Sequence, residues 1–218
     1  MTIKNVTIVG LGALGILYAG SLADKMPKEN LRIVADRNRI KGYREKGIIR
    51  NGRAMDLHYV QMEETCEPAD LILITVKYEG LEKALKVIRN HVGPDTIILS
   101  LLNGIRSESD IAAVYGWDKV LYCVAQGMDA VKEGNALTFT RHGLLCIGDV
   151  EQGPASGKLA AVLDFFEKME IPYMPDPDMK KRMWGKFMLN VGVNQTVAVY
   201  KGDYGTVQQP GEARDIMI

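Results

Sequence analysis

The sequence contains few of the residues that mark metal sites, disulfide frameworks or membrane spans. It has only three cysteines, three histidines and two tryptophans in 218 residues. The cysteines are odd in number and widely spaced, which argues against a disulfide framework and for a reducing compartment. The histidines are scattered, which argues against a metal cluster. No run approaches the ~20 apolar residues of a membrane span, and the first residues lead directly into a predicted strand, with no signal peptide. We therefore expect a cytoplasmic protein without a metal site.

The sequence also lacks an excess of charge of either sign. Its 27 Lys and Arg residues balance 27 Asp and Glu residues, so the formal net charge at pH 7 is zero. A nucleic-acid-binding protein normally needs a basic excess to neutralise phosphates, and a membrane-surface anchor needs a basic cluster. We therefore expect neither nucleic acid nor a membrane as a partner.

Apolar segments typical of buried strands alternate with helical segments along most of the chain. This alternation predicts an α/β fold, a Rossmann-type and mostly parallel sheet with helices on both faces. The predicted strands cover residues 3–9, 31–35, 71–76, 96–101 and 120–125, and the predicted helices cover 12–25, 39–46, 81–92, 108–114 and 158–169.

Two hairpins and a change of pattern complete the organisation. Asn51-Gly52 favours a tight turn between residues 48–50 and 53–60, and residues 136–140 and 144–147 are predicted to pair antiparallel. Prolines then punctuate residues 172–177, and a long helical pattern covers 178–200. We place a domain boundary here, with the Rossmann-type domain over 1–174 and the start of an all-helical, truncated second domain over 175–218.

A glycine-rich turn follows the first predicted strand. The segment Gly10-Leu11-Gly12-Ala13-Leu14-Gly15 has the pattern G-x-G-x-x-G and opens the first predicted helix. In a dinucleotide site the first glycine allows the turn, the second leaves room for the pyrophosphate and the third allows close helix packing, while the helix N-terminus attracts the phosphates. The alternative is a strand–turn–helix whose glycines serve packing alone.

The end of the second strand bears on the choice of cofactor. Asp36 and Arg37 lie about 20 residues after the glycine turn. A carboxylate at this position binds a ribose 2′-hydroxyl and favours NAD, whereas an arginine pairs with a 2′-phosphate and favours NADP. The pair leaves both cofactors open, and we favour NADPH.

Polar residues also recur at helical spacing late in the chain. Lys186, Asn190 and Asn194 are four residues apart and lie among apolar neighbours, so they share one helix face. Lysine can donate a proton and the amides can hold substrate oxygens, although a structural polar seam between helices is an equal alternative. Lys77 and Asn103 follow two apolar strands, at the edge where parallel sheets place ligands.

Together these residues resemble the ketopantoate reductase (2-dehydropantoate 2-reductase) family. The resemblance rests on Val6–Gly15, Thr75-Val76-Lys77, Asn103-Gly104, the Lys186–Asn190–Asn194 spacing and the glycines between 133 and 148. It covers essentially the whole chain. The family implies NADPH-dependent reduction of ketopantoate to (R)-pantoate on the route to pantothenate and coenzyme A, and a longer helical domain for substrate binding and dimerisation.

The resemblance also implies roles for individual residues. Lys186 would be the general acid, and Asn103 would position nicotinamide and substrate. The other implied roles are substrate binding by Asn190 and Asn194 and cofactor binding by the glycine turn, Arg37 and Lys77. Partners would be a small 2-keto acid and a second copy of the chain. Two alternatives remain open: another NAD(P)-dependent 2-keto acid, hydroxyacyl or imine dehydrogenase, or a dinucleotide-binding module without catalysis.

Overall fold

The computed structural model describes all 218 residues and contains twelve strands and nine α-helices. The strands are β1 (Val6–Val9), β2 (Leu31–Ala35), β3 (Ile49–Arg50), β4 (Arg53–Ala54), β5 (His58–Gln61), β6 (Leu71–Ile74), β7 (Ile97–Ser100), β8 (Val120–Gln126), β9 (Val131–Glu133), β10 (Ala136–Thr138), β11 (Leu144–Gly148) and β12 (Tyr173–Pro175). The helices are α1 (Ala13–Ala23), α2 (Arg37–Lys46), α3 (Leu81–Val87), α4 (Ser107–Tyr115), α5 (Gly157–Lys168), α6 (Met179–Leu189), α7 (Gln195–Val199), α8 (Tyr204–Gln208) and α9 (Glu212–Met217). A π-helical turn, Asn190–Asn194, joins α6 to α7.

The main sheet has eight strands in the order β12-β11-β8-β7-β6-β1-β2-β5. Six of its seven neighbouring pairs are parallel, and β11 runs antiparallel to β8. Alternate side chains of each central strand enter different cores: Leu71 and Leu73 of β6 join one cluster, and Ile72 and Ile74 join the other. Helices α1 and α5 cover the first face, and α3 and α4 cover the second. The predicted mostly parallel sheet with helices on both faces is confirmed.

A second, four-stranded sheet has the order β4-β3-β10-β9. The predicted hairpin at Asn51-Gly52 is confirmed for β3 and β4, which pair antiparallel. Both turn residues have positive φ, 46° for Asn51 and 80° for Gly52, as a type I′ turn requires. The rest of the predicted strand over 53–60 leaves the hairpin, because β5 pairs in parallel with β2 in the main sheet.

The predicted antiparallel pairing of residues 136–140 with 144–147 is wrong. Strand β10 pairs with β9 and β3, whereas β11 pairs with β8 and β12. The connection between β10 and β11 is bonded to the segment between β8 and β9. There the Asp129 carboxylate accepts hydrogen bonds from the backbone N–H groups of Thr140 (2.9 Å) and Arg141 (2.8 Å). Both segments do contain strands, but each pairs with other strands.

The chain divides into two compact units. The first comprises Met1–Leu102 and Arg106–Met179, and the second comprises Asn103–Ile105 and Lys180–Ile218. The first unit contains both sheets and α1–α5, and the second is helical. The domain boundary predicted from the sequence, 174/175, lies a few residues earlier. None of the helices combines the length and apolar character needed to cross a membrane.

His91 lies fully buried beneath the main sheet and gives the fold an acid-sensitive position. Its Nδ1 atom is 3.2 Å from Thr7 Oγ1 and 3.3 Å from Cys66 Sγ. Burial, and then the charge of Arg32, lowers the pKa of His91 from 6.5 to about 4. Because the unfolded chain binds this proton at higher pH than the folded chain, the stabilising contribution is present above pH 6.5 and is lost as the pH falls towards 4.

We expect His91→Gln to weaken this acid sensitivity. The free energy of unfolding of the wild type, relative to the variant, should decrease by about 2 to 3 kcal/mol between pH 7 and pH 4. Urea titrations across this range would measure the difference. His58→Gln, which retains His91, is the control and should keep the wild-type slope. Parallel pH profiles for the wild type and His91→Gln would contradict the prediction.

Candidate functional site

The glycine turn connects β1 to α1. Gly10 has a φ of +98°, a conformation that favours glycine. Gly12 is the N-cap of α1, and no side chain accepts a hydrogen bond from the first turn of this helix. The backbone N–H groups at the start of α1, which include those of Ala13 and Leu14, therefore remain available to an anion.

The surroundings of the second and third glycines differ. A Cβ atom on Gly15 would overlap the carbonyl oxygen of Gly10 and lie 2.7 Å from Thr75 Oγ1. On Gly12, the nearest atom to an added Cβ would be Thr75 O at 3.4 Å. The Thr75 hydroxyl also donates a hydrogen bond to the Gly10 carbonyl, at 2.6 Å. Gly15 is thus required by internal packing, whereas Gly12 borders open space.

A crevice of about 330 Å³ adjoins this turn. It lies where the carboxyl ends of β1, β2 and β6 meet, the edge at which parallel sheets bind ligands. Gly10, Leu11 and Gly12 form part of its wall. Its polar and charged lining residues are Asp36, Arg39, Tyr43, Thr75, Lys77 and Lys83. Lys77 therefore lies in the crevice, together with the glycine turn.

Asp36 is held in the crevice by three groups. It is the N-cap of α2, and its Oδ1 accepts a hydrogen bond from the Arg39 backbone N–H at 2.9 Å. Its Oδ2 accepts from Lys83 Nζ at 2.7 Å and lies 3.8 Å from Arg39 Nε. The bond from Lys83, and then that from the Arg39 N–H, lowers the pKa of Asp36. The carboxylate is therefore ionised and partly neutralised by its two cations.

Arg37 lies outside this crevice. It is the first residue of α2, and its Nε donates a hydrogen bond to Gln61 Oε1 at 3.2 Å. The cations that do line the crevice near the end of β2 are Arg39 and Lys83, which the sequence analysis did not identify. Arg39 lies three residues after Asp36, a spacing at which an N-cap aspartate accepts from the backbone N–H, so its place near Asp36 was predictable. Nothing in the sequence around Lys83 indicated its contact with Asp36 at the end of β2.

The Lys186–Asn190–Asn194 face crosses the π-helical turn. In an α-helix a step of four residues overshoots a full turn by about 40°, whereas in a π turn, closed between residues i and i+5, four residues fall short of one. The two offsets oppose each other, so the step from Asn190 to Asn194 reverses the drift of the preceding step. Asn194 Nδ2 accordingly donates a hydrogen bond to Asn190 Oδ1 at 3.1 Å.

Two further residues belong to this helical unit. Tyr204 on α8 donates a hydrogen bond from its hydroxyl to Asn194 Oδ1 at 2.9 Å, a contact that the sequence analysis missed. Asn103 and its neighbours to Ile105 also group with the helical unit, although they follow β7 in the chain. Lys186, Asn103, Asn190 and Asn194 therefore lie in one compact unit, and π turns of this kind frequently occur at functional sites.

The titratable residues do not form a metal centre of the usual kind. No group of three or more His, Cys, Asp or Glu side chains is placed to hold a metal ion.

Comparisons with known proteins identify the family. The profile of the family described as ketopantoate reductase PanE/ApbA matches residues 6–152. The 2-dehydropantoate 2-reductase of Aquifex aeolicus is 25% identical over 211 residues, which cover 96% of this chain and 67% of that protein. This chain thus spans about two thirds of the length of that relative.

Solved structures show the same fold. The 2-dehydropantoate 2-reductase of Geobacter metallireducens has a TM-score of 0.81 at 20% identity, covering 98% of this chain and 71% of that one. A D-mandelate dehydrogenase, solved with NADH and anilino(oxo)acetate, has a TM-score of 0.82 at 19% identity, covering 98% of this chain and 70% of that one. Because the family profile covers more than half of the sequence, this chain belongs to the ketopantoate reductase family.

Proposed function

We propose that this protein uses NADPH to reduce 2-dehydropantoate (ketopantoate) to (R)-pantoate, on the route to pantothenate and coenzyme A. The observation that carries the proposal is the Asn190–Asn194 hydrogen bond across the π turn, four residues after Lys186 on α6, in a chain of an oxidoreductase family. A cation beside two amides suits a 2-keto acid, which presents a carbonyl oxygen and a carboxylate.

The first unit fits a nicotinamide dinucleotide. Gly12 borders open space where a pyrophosphate would lie, and the first turn of α1 has no side-chain cap. The crevice continues from the glycine turn to Asp36 at the end of β2, the position at which a ribose is bound. A structural relative that shares the fold was solved with NADH. These observations support a dinucleotide in this crevice.

The choice of NADPH rests on the resemblance and on the charge of the crevice. Arg39 and Lys83 flank the Asp36 carboxylate, so two cations accompany one anion at the place of the ribose 2′ substituent. A 2′-phosphate gains charge-assisted hydrogen bonds from such cations. In this proposal Arg39 and Lys83 take the role that the sequence analysis gave to Arg37, and Lys77 contributes a cation nearer the glycine turn.

We expect Lys83→Ala to raise KM for NADPH by about tenfold and to leave KM for NADH nearly unchanged, because the variant loses a phosphate contact and leaves Asp36 less neutralised. Steady-state kinetics with both cofactors would measure this. Lys86→Ala is the matched control, since Lys86 lies on the same helix and pairs with Glu82 at 2.6 Å. Equal losses with NADPH and NADH would remove Lys83 from cofactor discrimination.

The residues of the helical unit supply the acid and the substrate contacts. When bound, the reduced nicotinamide supplies a hydride to the carbonyl carbon. The Lys186 ammonium stabilises the charge that develops on the carbonyl oxygen and then donates the proton that gives the hydroxyl group. Asn190 and Asn194 hold the substrate carboxylate and hydroxyl oxygens through their amides, and Asn103 positions the nicotinamide and the substrate.

An assay of NADPH and NADH oxidation with a panel of keto acids tests the function. The proposal expects ketopantoate to have a larger kcat/KM than benzoylformate, pyruvate, a hydroxyacyl substrate or an imine. A preference for another member of the panel would assign a related dehydrogenase. Quenching of cofactor fluorescence without oxidation by any substrate would assign a dinucleotide-binding module.

A homodimer through the helical unit and a cytoplasmic location stay predictions. The homodimer is supported by the exposed apolar side chains of α6, among them Trp184, Met188 and Leu189, since exposed apolar patches often mark interfaces. A structural relative from Staphylococcus aureus is described as a dimeric ketopantoate reductase.

A further inference from the structure

A chain of hydrogen bonds joins the two ends of the loop that carries Asn103. The Leu102 backbone N–H donates to Ser100 Oγ (3.3 Å), and the Ser100 hydroxyl donates to Ser107 Oγ (2.7 Å). The Ser107 hydroxyl in turn donates to Glu108 Oε2 (2.9 Å). Ser100 is the last residue of β7, while Ser107 and Glu108 open α4. The chain therefore connects the strand before the loop to the helix after it.

All three side chains are withdrawn from solvent. Ser100 is fully buried, and Ser107 and Glu108 are each 2% exposed. A buried carboxyl group is costly unless its hydrogen bonds are satisfied, and an apolar residue would pack at this position without that cost. Burial raises the pKa of Glu108 to about 7. The Glu108 carboxyl group therefore depends on hydrogen-bond donors inside the protein, of which the Ser107 hydroxyl is one.

The direction of the bonds gives Glu108 a specific part in this chain. Each hydroxyl uses its proton to donate towards Glu108, so the carboxyl oxygen is the terminal acceptor. Without that acceptor the Ser107 proton is free to rotate, and the Ser100 hydroxyl loses the arrangement that lets it accept from Leu102. Consecutive hydrogen bonds in such a chain strengthen one another, and together they favour a single conformation.

We propose that Glu108 is a positioning residue for Asn103. Through Ser107 and Ser100 it holds the backbone of Leu102, the residue directly before Asn103, and so restricts the loop of residues 101–106. Gly104 within this loop has a φ of +107°, which glycine adopts without strain, so the loop's own backbone does little to fix its conformation. The inference rests on the proposed function for the part of Asn103 in reduction, whereas the restriction of the loop can be tested without substrate.

The test compares Glu108→Leu, which removes the acceptor, with Glu108→Gln, which keeps an acceptor oxygen. Glu108→Leu should lower kcat for ketopantoate by about tenfold or more with little change in KM for NADPH, and Glu108→Gln should restore most of the activity. Val114→Ala, an exposed position on the same helix with no part in the chain, is the control. In an Asn103→Ala background, Glu108→Leu should have little further effect, because both act through one residue.

Hydrogen exchange provides a readout that needs no activity. Glu108→Leu should accelerate exchange at the Leu102 amide by about tenfold or more, and Glu108→Gln should not. Ser107→Ala, which interrupts the same chain with a smaller change in packing, should reproduce this pattern if Glu108→Leu does not fold. Accelerated exchange in an enzyme that fails to reduce ketopantoate would overturn the proposed function while retaining the loop restraint. Unchanged exchange in both variants, or additive losses with Asn103→Ala, would overturn the positioning role.

Discussion

Lys186→Ala is expected to lower kcat for keto-acid reduction by about 10² to 10⁴-fold, the usual contribution of a general acid. In the proposed mechanism, the variant lacks both the cation that stabilises the developing oxyanion and the donor of the proton. The dissociation constant for NADPH should change by less than about threefold, because the crevice proposed to bind the dinucleotide belongs to the first unit and Lys186 to the second. Single-turnover kinetics with NADPH, together with cofactor fluorescence titration on the full-length protein, would separate the two effects.

Lys180→Ala provides the matched control for this substitution. Lys180 is an exposed lysine on the same helix, six positions before Lys186, so its removal changes the charge by the same amount. We expect it to retain nearly full turnover. Unchanged turnover in Lys186→Ala would exclude this residue from the chemistry. Equal losses in both variants would attribute the effect to the general electrostatic field of the helix.

Gly12→Val is expected to reduce cofactor affinity by at least about 100-fold while leaving the fold intact. The only atom near an added Cβ is Thr75 O at 3.4 Å, so the folded protein has room for a side chain that the pyrophosphate would then meet. Isothermal titration with NADPH would measure the affinity, and the melting temperature would report the fold. Retained affinity would mean that the glycine turn serves packing alone.

Gly15→Ala should show the opposite behaviour. Its Cβ would overlap the Gly10 carbonyl oxygen and crowd the Thr75 hydroxyl, atoms that belong to the backbone and to a bonded side chain. Overpacking of this kind typically costs about 1 to 3 kcal/mol, and we expect a lower melting temperature as the primary defect. Denaturation curves of Gly12→Val and Gly15→Ala would test whether Gly15 serves packing and Gly12 serves cofactor binding. A stable Gly15→Ala protein would show that α1 can shift away from β1.

The organisation of the main sheet followed from patterns that are local in sequence. Runs such as Leu71–Ile74 are apolar at every position, because both faces of a central parallel strand are buried. The glycine turn and the Asn51-Gly52 hairpin depend on backbone conformations that few residues adopt, so they too were predictable. The pairing of β10 and β11 was not, because strand partners are chosen by residues far away in the chain.

The same distinction between local pattern and distant contact applies to the residues of the candidate site. Its glycines, Lys77 and the Lys186–Asn190–Asn194 spacing were indicated by local sequence, since each depends on its neighbours in one strand, turn or helix. Only the tertiary structure placed Lys83 against Asp36, turned Arg37 towards Gln61 and inserted the π turn between Asn190 and Asn194. The hydrogen-bond chain to Glu108 likewise exists only when a strand end and a helix start are brought together. Sequence determined which elements and chemical groups this protein has, and folding decided which of those groups meet, because such contacts depend on the packing of distant segments.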